Sequence, residues 1–345
     1  MRIMIMGAGS LGIIFGAHLA EAGLDVTLVD IMRDNVDALN SKGARVTGSV
    51  EMCVPVKACT PDELEGVFDL VLLLTKQVNN PASFPRIMAH IHENSTVVAM
   101  QNGVPETAVA EYFGEKRTLG CPVGLGATWL GPGLSESTST LERLRSHACE
   151  LGELDGRITP RLKEVQAQLE HVGKVHLLTN IWGARWSKLF INSTFSGLSA
   201  AFNCTYGDVL ANDVALYCAA RIGDEVVRVA RAQGIKIEPM QGERITDFEL
   251  LEPVDVAAKR QLYHNLFSPH AKLKASMLQD MEKGRECEIL FINGHVSACG
   301  RKSGMPTPYN DMVVTLVQEA QSRGVLPVFD DNLARFHALG AKPFV

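Results

Sequence analysis

Near its N-terminus the chain reads Arg2-Ile3-Met4-Ile5-Met6-Gly7-Ala8-Gly9-Ser10-Leu11-Gly12 and continues as a largely apolar segment to Ala22. The run before Gly7 predicts a short strand, and the segment after Gly12 is typical of a helix. A G-x-G-x-x-G turn between strand and helix lets the backbone approach a pyrophosphate, while the helix N-terminus adds partial positive charge. The motif therefore predicts a dinucleotide-binding loop, with a purely structural glycine-rich turn as the alternative. The loop residues are Gly7, Ala8, Gly9, Ser10, Leu11 and Gly12.

Strand-like and helix-like segments alternate along the first half of the chain, which indicates a mainly parallel sheet covered by helices, as in a Rossmann domain. The glycine-rich stretch 121–154 interrupts this alternation and is better suited to antiparallel strands and hairpins. Further strands are predicted over residues 24–29, 68–75 and 95–100, and helices over residues 33–42 and 160–171, with a short apolar run over residues 175–178 before the second half.

The second half of the chain shows no such alternation and consists of helix-compatible stretches. They are predicted over residues 182–201, 213–233, 276–284, 288–299 and 309–321. We therefore place a domain boundary near Thr179, with an α/β Rossmann domain over residues 1–179 and a helical domain over residues 180–345. Two domains of this size are also what a length of 345 residues favours.

The composition argues against several classes of protein. A net charge of −6 is unfavourable for a nucleic-acid partner, whose phosphates require a basic surface. The eight cysteines contain no C-x-x-C pair and no Cys/His cluster at zinc spacing, so we expect reduced thiols and no metal site. No signal-peptide pattern and no apolar stretch of membrane-spanning length are recognisable, so a cytoplasmic protein without a membrane partner is expected.

Polar residues that follow the predicted strands are candidates for cofactor and substrate binding. Asp30 follows the second strand, where a carboxylate accepts hydrogen bonds from the adenosine ribose and repels a 2′-phosphate, so it favours NADH over NADPH. Arg33 is close enough in sequence to oppose that preference. Lys76 and Asn102 follow later strands, at the edge where open α/β sheets bind their ligands. Lys76 could contact a phosphate or a carboxylate, whereas Asn102 also fits an ordinary Asn-Gly turn.

The second half contains a row of polar residues on an otherwise apolar predicted helix. Lys188, Asn192 and Ser196 recur at i, i+4 and i+8 and therefore share one face. Hydride delivery to a ketone leaves negative charge on oxygen, so a reductase needs an acid nearby. Lys188 is the candidate for that acid, unless the row faces solvent. Glu288 opens a later predicted helix, where it is either a second functional group or a helix N-terminal charge.

These motifs, in this order, resemble those of the ketopantoate reductases, also called 2-dehydropantoate 2-reductases. The resemblance covers nearly the whole chain and implies an N-terminal Rossmann domain with an all-α C-terminal domain of the 6-phosphogluconate dehydrogenase C-terminal-like type. The matching motifs are Gly7-x-Gly9-x-x-Gly12, Lys76, Gln101-Asn102-Gly103, Trp186-x-Lys188-x-x-x-Asn192, Ser276-Met277-x-Gln279-Asp280, Glu288 to Gly294, and Pro306-Thr307-Pro308.

The resemblance implies an NADPH-linked reduction of 2-dehydropantoate to (R)-pantoate, a step of pantothenate biosynthesis. It also implies that Lys188 is the general acid and that Glu288 is its partner and a ligand of the substrate hydroxyl. Asn192 and Ser276 would bind substrate, Ser276 through the carboxylate. By the same resemblance Lys76 and Asn102 would lie at the junction of cofactor and substrate, and a homodimer would be compatible with the family.

Three residues depart from the family pattern. Ser196 and Tyr206 stand where the family usually has asparagines, and Asp30 stands where an NADPH enzyme would more naturally carry a basic or neutral residue. Because buried hydrogen-bonding groups discriminate strongly between substrates, the two lost amides bear on the substrate side chain more than on the chemistry. Ser196 remains a candidate substrate contact.

Two other functions fit parts of the pattern. An NAD-dependent D-2-hydroxyacid dehydrogenase of the same superfamily, acting on a branched or aromatic 2-oxo acid, would suit Asp30, Ser196 and Tyr206. A non-catalytic redox sensor that binds a dinucleotide would need no acid such as Lys188. A ketopantoate reductase remains the leading prediction, and the presence of Lys188 and Glu288 in the segments that the resemblance implies argues against the sensor.

Overall fold

A computed structural model describes all 345 residues, and the chain forms two compact units. The first unit comprises Met1–Gln101 and Pro105–Ile181, and the second comprises Asn102–Val104 and Trp182–Val345. The predicted fold class is confirmed, since the first unit is a mostly parallel α/β domain and the second is helical. None of the helices combines the length and apolar character that a membrane crossing requires.

The first unit contains twelve strands in two sheets. Eight strands form the larger sheet in the order β12-β11-β8-β7-β6-β1-β2-β5, in which only β8 and β11 run antiparallel to each other. Four form a smaller sheet in the order β4-β3-β10-β9. The strands are β1 (Arg2–Met6), β2 (Asp25–Val29), β3 (Ala44–Gly48), β4 (Met52–Val54), β5 (Lys57–Cys59), β6 (Phe68–Leu73), β7 (Ile91–Ala99), β8 (Thr118–Gly120), β9 (Ala127–Gly131), β10 (Leu134–Ser137), β11 (Cys149–Glu153) and β12 (Val175–Leu178).

Helix α1 (Ser10–Glu21) lies between the two sheets, because it contacts β1 and β2 on one side and all four strands of the smaller sheet on the other. This explains why Ile13, Ile14 and Phe15 are all buried, although consecutive residues point in different directions. β9 and β10 form the antiparallel hairpin predicted within residues 121–154. The remaining helices of this unit are α2 (Arg33–Lys42), α3 (Asn80–Met88), α4 (Glu106–Phe113), α5 (Leu141–Ser146) and α6 (Pro160–Leu169).

The central strands of the larger sheet place their carboxyl ends along one edge. β2, β1, β6 and β7 are parallel neighbours, and the chain proceeds from β1 outward to β2 before it returns to β6 on the other side of β1. Ligands of open α/β sheets bind at such a switch point, outside the carboxyl ends of the strands. The glycine-rich loop after β1, Asp30 after β2 and Lys76 after β6 all lie at this edge.

The second unit packs its helices around one apolar core that includes Trp186, Phe195 and Tyr263. The predicted helix over residues 182–201 is present, but a π-helical turn at Asn192–Ser196 interrupts it. The helices are α7 (Ile181–Ile191), α8 (Gly197–Phe202), α9 (Tyr206–Ala211), α10 (Asp213–Ala232), α11 (Val256–Phe267), α12 (Ser276–Glu282), α13 (Asn293–Ser303), α14 (Pro308–Arg323) and α15 (Phe329–His337).

The predicted helix over residues 288–299 is wrong at its start. Ile289–Phe291 form a single 3-10 turn, and Ile292 leaves helical geometry with φ of −112° and ψ of −92°. Helix α13 begins only at Asn293. The apolar run after Glu288 resembles the buried face of a helix in the sequence, because Ile289 and Ile292 are buried in the core.

Candidate cofactor and substrate sites

The loop after β1 contains two glycines that the fold itself requires. Gly7 has a φ of +104°, and a Cβ there would lie 2.7 Å from the backbone nitrogen of Thr75. A Cβ on Gly12 would lie 2.0 Å from the carbonyl oxygen of Gly7. Gly9 differs, because its backbone is ordinary (φ −73°, ψ −157°) and a Cβ there would meet no protein atom within 4 Å. The side chain missing at Gly9 thus leaves room outside the protein backbone.

That room lies in front of the N-terminus of α1. Gly9 is the N-cap residue, and its first turn receives no side-chain cap. The first N–H groups of a helix have no partner within it and carry partial positive charge, which favours a phosphate. The half-buried Ser10 and Leu11 contribute their backbone here, and Ala8 is buried beneath. The loop therefore fits the pyrophosphate of a dinucleotide.

Asn35 supports this loop, although the sequence did not single it out. Its side chain is 1% exposed; Nδ2 donates to the carbonyl of Ala8 at 2.9 Å, and Oδ1 accepts from the backbone of Gly133 at 2.8 Å. Ser135 of the same hairpin donates its hydroxyl to the carbonyl of Ser10 at 2.9 Å. The only sequence signal was an amide next to Val36 on the inner face of a predicted helix.

Asp30 and Arg33 occupy different electrostatic settings after β2. Asp30 is half-buried, and its Oδ1 accepts a hydrogen bond from the backbone of Met32 at 2.9 Å. Arg33 forms two hydrogen bonds with Glu63, at 3.0 and 2.7 Å. The guanidinium, together with donors from Thr60, lowers the pKa of Glu63 to about 2, so the carboxylate is charged at neutral pH. The cation that could oppose Asp30 is therefore already paired with an anion.

Lys76 and Gln101 follow β6 and β7. Lys76 is half-buried and precedes a short 3-10 turn. Gln101 is buried, and its Nε2 donates to the carbonyl of Thr75 at 2.8 Å and to Oδ1 of Asn80 at 2.7 Å. It ties the ends of the two strands together. The next residue, Asn102, is half-buried.

In the second unit, the predicted polar row begins on α7 and ends in the π turn. Lys188 lies in the last turn of α7, and Asn192 begins the π turn; both are half-buried. Ser196 closes the turn and is only 7% exposed. Its hydroxyl lies 2.6 Å from that of Tyr206, so the two residues that depart from the sequence motif contact each other.

Tyr206 is held in an aromatic pocket. Its ring centroid lies 5.6 Å from that of Phe195 and 6.1 Å from that of Phe267, and burial raises its pKa to about 12. The phenol is therefore neutral, and the pair with Ser196 carries two O–H hydrogens. Their mutual bond uses one of them.

The segment that carries Ser276 is attached to the same part of the unit. Ser199 of α8 accepts a hydrogen bond from the backbone of Ala275 at 3.2 Å, and the backbone of Tyr206 donates to the carbonyl of Leu273 at 3.1 Å. Helix α12 consequently contacts both α8 and the π turn. Ser276 is the exposed first residue of α12, so the structure brings its segment next to those of Ser196 and Tyr206.

Glu288 is 7% exposed and lies directly before the 3-10 turn, with its carbonyl accepting from the backbone of Phe291 at 2.9 Å. The interpretation of Glu288 as the N-terminal charge of a long helix is wrong, because no α-helix begins there. Removing a carboxyl group from water costs free energy, so a buried glutamate needs compensating interactions that an exposed helix charge does not need.

Comparison with known proteins gives one consistent result for both units. Residues 3–154 match the family model described as ketopantoate reductase PanE/ApbA, and residues 180–321 match the model of the C-terminal part of the same family. A curated 2-dehydropantoate 2-reductase of Streptococcus pyogenes is 29% identical over 325 residues, which cover 93% of this chain and 98% of that protein.

Solved structures agree with this result. The 2-dehydropantoate 2-reductase of Geobacter metallireducens is 28% identical and has a TM-score of 0.78, with 93% of this chain and all of that chain covered. The ternary structure of a D-mandelate dehydrogenase with NADH and anilino(oxo)acetate has a TM-score of 0.80 at 24% identity, with 94% of this chain and 99% of that chain covered. The second similarity is one of fold alone.

Proposed function

Because the chain belongs to the ketopantoate reductase PanE/ApbA family, we propose that it reduces the ketone of 2-dehydropantoate to (R)-pantoate with a nicotinamide dinucleotide as hydride donor. The observation that carries this proposal is that both halves of the family pattern match in order over both units. The curated relatives that span nearly the whole chain are named for this reaction, which favours it over another 2-oxo acid.

The first unit supplies the dinucleotide site. The loop Gly7, Ala8, Gly9, Ser10, Leu11 and Gly12 presents backbone donors to the pyrophosphate, and Gly9 leaves the space it needs. Lys76, after the end of β6, is a further proposed cofactor contact. Asn102 follows β7 but belongs to the second unit, and it is proposed to contact the cofactor as well. When bound, the dinucleotide supplies the hydride that the protein side chains cannot.

NADH is the proposed preference, in contrast to the NADPH that is usual in the family. Asp30 stands after β2, where its carboxylate can accept hydrogen bonds from ribose hydroxyls and repel a 2′-phosphate. Arg33 would be the natural partner of that phosphate. Its pairing with Glu63 supports the preference, because a phosphate would have to compete with a carboxylate that is already bound.

The second unit supplies the acid and the substrate contacts. Lys188 donates a proton to the oxygen on which negative charge develops as the ketone is reduced. Glu288 is its proposed partner and binds the substrate hydroxyl. Asn192, Ser276 and Asn102 bind substrate, Ser276 through the carboxylate. Ser196 acts together with Tyr206, whose hydroxyl shares its hydrogen bond.

The proposal is tested with the purified protein and Lys188→Ala. The wild type should oxidise NADH or NADPH in the presence of 2-dehydropantoate, and faster than with a panel of aliphatic and aromatic 2-oxo acids. Lys188→Ala should lose roughly a hundredfold to ten-thousandfold in kcat, as is typical of losing a general acid, and keep its affinity for the dinucleotide. Lys259→Ala is the matched control, because that half-buried lysine donates to the carbonyl of Asp247 instead.

Each outcome has a distinct meaning. A hundredfold preference for another oxo acid would overturn the substrate. Unchanged turnover of Lys188→Ala would overturn the role of the lysine. Dinucleotide binding without turnover of any oxo acid in the wild type would leave the redox sensor as the better description.

A further inference from the structure

A buried chain of amide groups connects the π turn to the helices behind it. Asn293, the first residue of α13, is completely buried, and its Nδ2 donates to the carbonyl of Ser193 at 2.8 Å. The same nitrogen donates to Oδ1 of Asn310 at 2.9 Å. Both N–H hydrogens of Asn293 are therefore used. Its Oδ1 is buried without a hydrogen bond, so the nitrogen rather than the oxygen is what the position requires.

The chain ends on a buried carboxylate. Asn310 donates its Nδ2 to Glu225 at 2.7 Å, and Glu225 also accepts from the backbone nitrogens of Tyr309 and Asn310, both at 2.9 Å. These two nitrogens belong to the first turn of α14, so the carboxyl group of Glu225 on α10 occupies the N-terminal end of that helix. Asn310 is thereby fixed in position and orientation, and it in turn orients Asn293.

The π turn is shaped to receive Asn293. Gly197, the residue after the turn, donates its backbone nitrogen to the carbonyl of Asn192, five residues earlier. A Cβ on Gly197 would lie 2.6 Å from Oδ1 and 3.0 Å from Nδ2 of Asn293. The glycine thus lets the amide lie directly against the helix backbone. π turns inside α-helices are rare and frequently occur at functional sites.

The hydrogen bond between Asn293 and Ser193 matters because both residues are close in sequence to proposed site residues. Asn293 comes five residues after Glu288, and Ser193 directly follows Asn192 and lies five residues after Lys188. The hydrogen bond between them therefore joins the segment that carries the carboxyl group to the helix that carries the ammonium and the amide. A shift of either segment would break a bond between fully buried groups.

We propose that Asn293 is a positioning residue, which holds the π turn and so sets the placement of Lys188 and Asn192 relative to the Glu288 segment. Its side chain is completely buried, so it acts through these residues and not by a contact of its own with a ligand. Its role rests on the proposed function of these residues, but the contact itself can be tested without turnover.

The test uses Asn293→Ala, Gly197→Ala and the double variant in the full-length protein. Each single variant is assayed well below its melting temperature. Each should lower kcat for 2-dehydropantoate at least tenfold and leave the dinucleotide Kd within twofold. Ser297→Ala is the control, because Ser297 is buried one turn later on α13 and its hydroxyl has no hydrogen bond. That variant should keep wild-type kcat.

The double variant distinguishes a direct contact from general damage. If the new Cβ acts by displacing the Asn293 amide, adding Gly197→Ala to Asn293→Ala should lower kcat by less than threefold further. Independent effects would multiply instead and would overturn the proposal. A kcat of Asn293→Ala within twofold of the wild type, with lowered thermal stability only, would likewise show that the residue is merely structural.

Amide hydrogen exchange measures the same contact without substrate. Peptides covering residues 193–202 should exchange at least tenfold faster in Asn293→Ala, whereas peptides from α6 in the first unit should not change. Unchanged exchange in the π turn would refute the positioning role even if the enzyme is active. If the wild type does not reduce 2-dehydropantoate but this exchange pattern appears, the proposed function has failed and the positioning contact has not.

Discussion

Gly9→Ala should separate ligand binding from folding, because Gly9 is the one glycine of its motif that the protein does not need. Its backbone conformation is open to alanine, and the added Cβ meets no protein atom within 4 Å. A glycine-to-alanine change at a compatible position stabilises by about 0.4–1 kcal/mol, because it restricts the unfolded chain. We therefore expect an unchanged or slightly raised Tm for this variant in the absence of cofactor.

Dinucleotide binding should respond in the opposite direction. The methyl group would stand where the pyrophosphate approaches the first turn of α1, and one or more hydrogen bonds to a charged oxygen would be lost. Each such bond contributes about 1.5–3 kcal/mol, which corresponds to a roughly tenfold to hundredfold weaker Kd. Binding is measured by titration of protein fluorescence with NADH, and stability by thermal unfolding of the apo protein.

Gly12→Ala is the matched control, because Gly12 is a glycine that the fold itself requires. Its Cβ would overlap the carbonyl oxygen of Gly7 at 2.0 Å, so the backbone must move and the apo protein should be destabilised. The reasoning is refuted if Gly9→Ala binds NADH as tightly as the wild type. It is also refuted if Gly9→Ala unfolds at a clearly lower temperature, since the glycine would then serve the fold.

Two further predictions concern charge. Asp30→Ser should shift the ratio of the kcat/KM values for NADPH and NADH toward NADPH by roughly tenfold to thirtyfold. The reason is that a carboxylate near a doubly charged 2′-phosphate costs about 1 kcal/mol per charge pair at 4 Å in water. An unchanged ratio would contradict the proposed contact of Asp30 with the adenosine ribose. Burial raises the pKa of Glu225 from 4.5 to about 7 despite its backbone and amide donors and nearby Arg221, so the native state holds its proton more tightly than the unfolded chain. Its contribution to stability is fully present below pH 4.5 and is lost as the pH rises toward 7, by up to about 1.4 kcal/mol per pH unit. In urea unfolding from pH 4.5 to 8, the wild type should lose stability relative to Glu225→Gln over this window, and a constant difference would exclude the raised pKa.

The first unit could be predicted well because its rules are local. A strand followed by G-x-G-x-x-G imposes its geometry within twelve residues, and the carboxyl ends of parallel strands must share an edge. Asp30 and Lys76 could therefore be placed from their positions after strands. Asn35 could not, since its partners Ala8 and Gly133 lie 27 and 98 residues away and meet only once the smaller sheet covers α1.

The second unit shows where periodicity ceases to be informative. The regular repeat from Lys188 to Ser196 gives no sign of a π turn. The turn depends on the hydrogen bond that Asn293 donates to Ser193, and these two residues are a hundred positions apart in the sequence. The false helix start at Glu288 has a related cause. The apolar residues after Glu288 pack into the core from a 3-10 turn. A hydrophobic pattern cannot distinguish such a turn from the first turn of an α-helix.

The contact between Ser196 and Tyr206 changes how their substitutions should be understood. In the sequence they are two separate losses of an amide, each of which weakens the argument for a hydroxyl-bearing substrate. In the structure they form one unit, because the phenol of Tyr206 reaches across to the hydroxyl of Ser196 at 2.6 Å. Their mutual bond leaves the pair one O–H hydrogen, whereas two asparagine amides would offer four N–H hydrogens, so the pair has fewer donors than the family pattern. The two substitutions are therefore one change, because each hydroxyl is the hydrogen-bond partner of the other, and comparing turnover of 2-dehydropantoate with that of other 2-oxo acids tests what the smaller number of donors does.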